Sequence, residues 1–154
     1  MMDNLFTIRL AKQKDAKKLA NFCEQRMLVD NEPVSPEKLL PGVTAPIKDL
    51  SKGMYFIANV KDSDVPIACL MITYEWDSGN NAFIWWIQDV FVDEKWRRKG
   101  VYQSMHKHVV NTARERGNVF SIKLHVNHNN LKAQKTYQKM GMTNTPNYMY
   151  ELPL

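Results

Sequence analysis

Cysteine is scarce: Cys23 and Cys69 are the only two among 154 residues. Two thiols cannot form a disulfide framework, so an apolar core must hold the chain together. Both sit in apolar-patterned segments and read as small core residues, with no positioned base to make either a nucleophile. Long apolar runs are lacking as well. No stretch approaches the roughly 20 apolar residues that a membrane helix needs. Residues 1–10 are short and mixed, with Lys12, Lys14 and Asp15 close behind, which is unlike a secretory leader. The expected setting is the cytoplasm, with no membrane partner. Internal repeats, low-complexity segments and domain boundaries are also missing, so a single domain over 1–154 is expected. Nor is there a stripe of interleaved basic and aromatic residues, or helix-turn-helix or zinc-knuckle spacing, so no nucleic-acid partner is expected. His125 and His128 stand three apart at a strand end, where that spacing does not put two imidazoles on one face. No Cys or carboxylate completes a set, so no metal is expected.

What is present is the content of an ordinary folded domain. Apolar residues make up 44% and charged residues 24%, and 21 basic against 16 acidic side chains give +5. A modest positive excess suits an anionic ligand. Residues 5–10 read as a strand. Ala16, Leu19, Ala20, Cys23 and Met27 recur at helical spacing within 14–28. Asn31, Pro33 and Pro36 break that pattern. A shorter helix starts at Pro36 under a Ser35 cap and is interrupted or ended by Pro41-Gly42, with another turn or helix over 45–50. Strands over 54–60, 67–76 and 82–92, joined by polar turns, form an antiparallel meander. A helix over 99–116 ends at Gly117, and a strand over 119–126 precedes a helix over 129–140 that ends at Gly141. A last strand is expected over 148–152.

Two blocks give the chain a chemistry. The first is Val90-Phe91-Val92-Asp93-Glu94-Lys95-Trp96-Arg97-Arg98-Lys99-Gly100-Val101-Tyr102, an apolar strand, a charged turn and a basic, glycine-bearing helix start. Backbone N–H groups at a helix start lack partners and the helix dipole favours negative charge, so such a turn can hold a phosphate. The second is Asn130-Leu131-Lys132-Ala133-Gln134-Lys135-Thr136-Tyr137-Gln138-Lys139-Met140-Gly141-Met142, a helix with a tyrosine near its end.

Arg97-x-x-Gly100-x-Tyr102 followed by Asn130-x-x-Ala133-x-x-x-Tyr137-x-x-x-Gly141-Met142 resembles the paired signature of the GNAT superfamily of acyl-CoA-dependent N-acyltransferases. Tyr74-Glu75-Trp76 with Phe83-Ile84-Trp85-Trp86-Ile87-Gln88-Asp89-Val90-Phe91-Val92 is similar to a bacterial-type subgroup, which narrows the family without naming an acceptor. The resemblance implies an α/β fold of order β-α-α-β-β-β-α-β-α-β, a mostly antiparallel, splayed central sheet flanked by helices. It implies acetyl-CoA as co-substrate, without metal, and a small-molecule or peptide amine as acceptor. The backbone of residues 97–102, including Val101, would bind the pyrophosphate, with Arg97, Arg98 and Lys99 adding charge and Gly100 allowing close approach. Tyr102 departs from the usual Gly or Ala, so its phenol must turn away from the phosphates or pack beside the cofactor. Val90, Phe91 and Val92 would pair with pantetheine through their backbones, and one N–H would polarise the thioester.

Tyr137 matches the family's general acid, and an ordinary phenol stays protonated near neutrality. Asn130 would contact pantetheine or cap its helix, with Asn129 competing for the cap. Relatives often carry a Glu where this chain has Gln88, which cannot usefully accept a proton. Glu75 is the best substitute base, and Asp89 comes next, although alternation would turn it to the opposite face. Tyr74, Trp76, Trp85, Trp86 and Gln88 are candidates for the acceptor side, with Trp85 and Trp86 on opposite faces. Glu24, Asp30 and Glu32 offer carboxylates to a cationic amine, or an ordinary solvated face. A second reading, an acyl-CoA-binding sensor without transfer activity, draws on Gln88 and Tyr102. A homodimer stays open.

Overall fold

The structure, a computed structural model, describes residues 5–154. Its centre is a five-stranded sheet in the order β1 (Phe6–Leu10), β2 (Met54–Val60), β3 (Pro66–Asp77), β4 (Ala82–Val92), β5 (Val119–Leu124). The first three pairings are antiparallel, β2–β3 and β3–β4 through short turns and β1–β2 through the helical stretch of residues 11–53, while β4 and β5 run parallel and require a helical crossover. That crossover is α3 (Val101–Arg116). Its Val101, Met105, Val109 and Ala113 fall four apart on one stripe and pack on Met54, Phe56, Ile72, Trp85 and Ile87 from the sheet. The other face is covered by α1 (Ala16–Val29) and α2 (Pro36–Lys48), where Leu19, Phe22, Cys23 and Val43 meet Tyr55, Ile57, Cys69 and Phe91. Each fully buried large apolar side chain contributes roughly 1.5–3 kcal/mol. The last helix, α4 (Leu131–Lys139), contains no buried residue.

The elements match the expected α/β order except at three places. The helix starting at Pro36 runs through Pro41 and Pro46 to Lys48, absorbing the separate turn expected over 45–50. Each internal proline forfeits one intrahelical bond. Leu39, Leu40, Val43 and Ile47 pack against the core between them, and tertiary packing outweighs the loss. The long third strand of the meander is broken at Asp89, where Met71 faces Gln88 but Cys69 faces Phe91. One residue of β3 thus opposes two of β4, and Asp89 adopts φ +50° to make the bulge. The strand expected over 148–152 is not formed. Those residues carry no strand pairing, and Tyr148, Met149 and Tyr150 stand almost free of the body. The residue pattern and the order implied by the resemblance both proposed that strand, and a strand needs a neighbour to bond to.

At the entry to α1, the Arg9 guanidinium grips buried Asp15 with both nitrogens, at 2.8 and 3.1 Å, and the Lys12 N–H donates at 2.7 Å. Burial alone would raise the carboxyl, but these donors outweigh it and hold Asp15 below its usual range. A lowered folded pKa stabilises the fold above the unfolded carboxylate value, and the contribution fades as pH falls through the folded one. The urea midpoint is therefore expected to drop below about pH 4, and to drop less in Asp15→Asn. An equal acid response in both chains would refute the assignment.

Candidate active site

The ladder between β4 and β5 runs from Phe83 opposite Val119 to Ile87 opposite Leu124, and then stops. From Gln88 onward, β4 continues without β5, so the backbone of residues 90–92 has no strand neighbour on that side among the described residues. The bulge at Asp89 turns this segment. Before it, Phe83, Trp85 and Ile87 face α3; after it, Val90 and Val92 do. The ladder to β5 ends at Ile87, two residues before the local break at Asp89.

The chain then reverses through residues 97–100 into α3. Arg97 anchors the turn by donating from Nε to the Val92 carbonyl at 2.9 Å, with its guanidinium over the Phe91 ring at 5.7 Å. Lys99 lies over Trp96 at 4.9 Å. Arg98 and Gly100 take positive φ, +60° and +79°. Gly100 is the N-cap of α3, which starts at Val101, two residues later than expected, and it offers no side chain to the orphan donors. Among the described residues, the first N–H of this region to close a helical bond is Ser104, on the Gly100 carbonyl at 3.0 Å. The N–H groups of residues 98–103 donate to none of the described residues. Six consecutive donors without a partner among the described residues, at a helix start that also carries Arg97, Arg98 and Lys99, are groups that can hold a diphosphate.

Tyr102 resolves its own anomaly. Its ring turns inward, half-buried among the α3-side core, with its hydroxyl buried and unpartnered and its pKa pushed up by that burial. The ring meets His106 at 5.9 Å and the edge of Tyr137 at 5.8 Å. Tyr102 therefore leaves its N–H to that run of donors and joins the helix start to α4. Tyr137 is half-buried on α4, and burial raises its phenol above the usual value. Asn130 caps that helix, accepting from the Ala133 N–H at 3.1 Å, and so outcompetes Asn129.

On the opposite face of the sheet, Trp86 forms the centre of a polar group. Its indole donates to Glu75 Oε2 at 2.7 Å, stacks on the His125 imidazole at 4.6 Å, and lies under the Lys123 ammonium at 5.5 Å. Gln88 donates to Thr73 at 2.6 Å on the same face. Trp85 is buried on the α3 side, as alternation required. Trp76 packs on Phe83 on that α3 side too, and does not join Trp86, Glu75 and Gln88. Glu24 is half-buried on α1, without a hydrogen bond or ion pair among the described residues.

Asp89 does not point away from Gln88. The bulge puts both on the α1–α2 face, where Asp89 accepts from Tyr55 at 2.7 Å and pairs with Arg26 at 3.2 Å. Cys23 lies 3.9 Å from the same phenol. Burial drives Tyr55 upward, reinforced by the Asp89 charge, and lifts Cys23 to about 11, so both stay protonated. Arg26 and Tyr55 carry no local signal in the sequence, since α1 and β2 bring them to the bulge only on folding. His125 did attract notice as one of a spaced pair, and its partner turns out to be an indole.

Residues 16–142 match the acetyltransferase (GNAT) family, and the chain belongs to it. Among solved structures it resembles a "possible acetyltransferase" from Clostridium difficile 630, at 30% identity over 97% of this chain and 98% of that one, TM-score 0.89. It shares its fold with a predicted acetyltransferase from Clostridium acetobutylicum solved with acetyl-CoA, at 20% identity over 96% of each chain, TM-score 0.74. It also shares its fold with a ribosomal-protein-alanine N-acetyltransferase from Brucella melitensis biovar Abortus 2308, at 13% identity over 97% and 99%, TM-score 0.76. No curated protein matches. Family and fold together support acyl-CoA-dependent acetyl transfer. No described helix is long and apolar enough to cross a membrane.

Proposed function

We propose that this chain transfers an acetyl group from acetyl-CoA to a primary amine, on a small molecule or a peptide, by direct attack in a ternary complex. The observation that carries the reading is the run of unpartnered N–H groups around Gly100, lying beside the open edge of β4. When bound, acetyl-CoA supplies the activated thioester. The N–H groups of residues 98–102, with Arg97, Arg98 and Lys99, hold its phosphates. The open backbone of Val90, Phe91 and Val92 aligns the pantetheine amides and offers one N–H to the acyl oxygen. Asn130 fixes the start of α4 beside that arm. Tyr137, kept neutral by burial, gives its proton to the departing thiolate.

The acceptor enters over Trp86 and Gln88, with Glu24 at the α1 border. Glu75 takes the ammonium proton, directly or through a water. One of its oxygens accepts from Trp86, which aims the carboxylate and leaves the other oxygen for the amine. Asp89 is less suited to that task, because Tyr55 and Arg26 engage both its oxygens. The engagement of Asp89, with a glutamine rather than an acid at Gln88, favours the second reading, binding of acyl-CoA without transfer.

Thiol release from acetyl-CoA across amines, amino acids, polyamines and aminoglycosides separates the two. Turnover on at least one acceptor is expected, and its loss in Glu75→Gln at neutral pH would assign the base. Tight acetyl-CoA binding with no turnover on any acceptor selects the sensor. Failure to bind CoA sinks both.

A further inference from the structure

The Trp86 indole is a meeting point for side chains of opposite charge. Glu75 holds its nitrogen edge at 2.7 Å, the Lys123 ammonium lies over the ring at 5.5 Å, and the His125 imidazole stacks on it at 4.6 Å. Strand pairing explains the gathering. Lys123 is the β5 residue opposite Trp86, Glu75 shares a face with Thr73, the β3 residue opposite Trp86, and His125 follows the last rung of the β4–β5 ladder. Yet neither Glu75 nor Lys123 forms an ion pair with the other or with any described residue. Asp77, the next carboxylate along that face of β3, is occupied by its own turn: Oδ1 accepts from the Gly79 and Asn80 N–H groups and Oδ2 from the Asn80 side chain. A cation and a carboxylate with one free oxygen thus flank a single aromatic surface, each without its counter-charge.

That pattern discriminates among amines. A plain alkylamine or a polyamine would approach an indole face that Lys123 already covers, and would meet its ammonium as a like charge. An acceptor that also carries a carboxylate satisfies both groups at once. Its ammonium goes to Glu75 and its carboxylate to Lys123, in charge-assisted hydrogen bonds of about 2.8 Å. His125 can add a ring N–H to the same carboxylate in either protonation state. Gln88 then has a reason of its own. Its amide donates to Thr73 and leaves its oxygen without a partner among the described residues, so that oxygen can accept from an ammonium. A glutamate there would add negative charge to the face that must admit a carboxylate.

We infer that the acceptor is a free α-amino acid, its ammonium set on Glu75 and Gln88 and its carboxylate on Lys123 and His125. One carbon separates the two charged groups of such a substrate, which suits two side chains that share one indole. Glu75 takes a proton from the ammonium, the neutral α-nitrogen bonds the acyl carbon as that carbon's bond to sulfur breaks, and Tyr137 protonates the sulfur. The products are an N-acetylamino acid and CoA. The inference rests on the reading of this face as the acceptor side.

Each protein amino acid is to be compared with its carboxamide and its decarboxylated amine. Each is offered as an acceptor with acetyl-CoA, and as a ligand of the protein saturated with CoA, read by tryptophan emission. At least one amino acid is expected to show a KM and a Kd roughly 10- to 100-fold below those of its carboxamide, the worth of a hydrogen bond between charged groups. Lys123→Met keeps an unbranched side chain over Trp86 and should raise both values to those of the carboxamide, with kcat changed far less. Lys123→Arg should restore the preference. Equal values for acid and amide in the wild type, or a preference that survives Lys123→Met, overturn the inference. Turnover confined to amines or carboxamides sinks the amino acid and leaves the acetyltransferase standing. A Lys123-dependent preference in binding, with no turnover on any acceptor, keeps the amino-acid site and counts against the acetyltransferase. Absence of both binding and turnover overturns the inference as well.

Discussion

Tyr137→Phe is expected to lower kcat by roughly 10²–10⁴-fold, the usual contribution of a positioned general acid. The KM for acetyl-CoA should change little. The substitution keeps the ring and its edge contact with Tyr102 and removes only the hydroxyl. Burial holds that phenol above its ordinary value, so the wild-type acid stays charged with its proton to higher pH than a solvated tyrosine would. The alkaline limb of the wild-type rate profile should accordingly lie above about pH 10, and the variant should lack it. Measurement must be made where chemistry limits the rate, because slow product release would mask the loss. Unchanged turnover under those conditions removes Tyr137 from the mechanism.

Asp89→Ala should cost about 2 kcal/mol of stability, read as a lower urea midpoint with an unchanged slope. The carboxylate is the common partner of Arg26 and Tyr55, at 3.2 and 2.7 Å; its removal takes the carboxylate acceptor from the phenol and leaves Arg26 with its pairing to Asp30 at 3.5 Å. The figure stays below that for a fully buried pair because Arg26 and Asp89 keep partial solvent contact, 35% and 24% of their side chains. Asp89→Asn should cost less, since an amide oxygen can still accept from Tyr55, and asparagine tolerates the positive φ of the bulge. Activity should fall with stability in Asp89→Ala, because the bulge aims Val90 and Val92 at the opening between β4 and β5. An unchanged midpoint would mean that the network is dispensable and that backbone pairing alone sets the bulge.

The legible parts of this chain were those decided within one segment. β2 and β4 have the bounds that their apolar patterning suggested, and α3 starts at Val101 rather than the expected residue 99 because Gly100 is a left-handed cap. The Gly100 turn and the Tyr137 helix were equally plain, each motif being local. What could not be read depended on neighbours. The register shift at Asp89 is a relation between two strands, and it reversed the face that strict alternation assigned to that side chain. Trp76 and Trp86 were grouped by residue type, yet they lie on opposite faces because their positions on paired strands differ in parity. Pro41 and Pro46 argue locally against a helix that burial of Val43 and Ile47 sustains. The strand expected over 148–152 shows the limit: its pattern was in the chain, but no strand among the described residues pairs with it.

The chain's own two sulfurs have a practical bearing on how its reaction is followed. Cys23 and Cys69 are 3% and 0% exposed, and burial raises both thiols, Cys69 well above its usual value. A disulfide reagent that reports free CoA reacts with thiolate, which neither side chain presents in the folded state. The folded protein is therefore silent in that assay, and any colour beyond the released cofactor measures the fraction of chain that has unfolded.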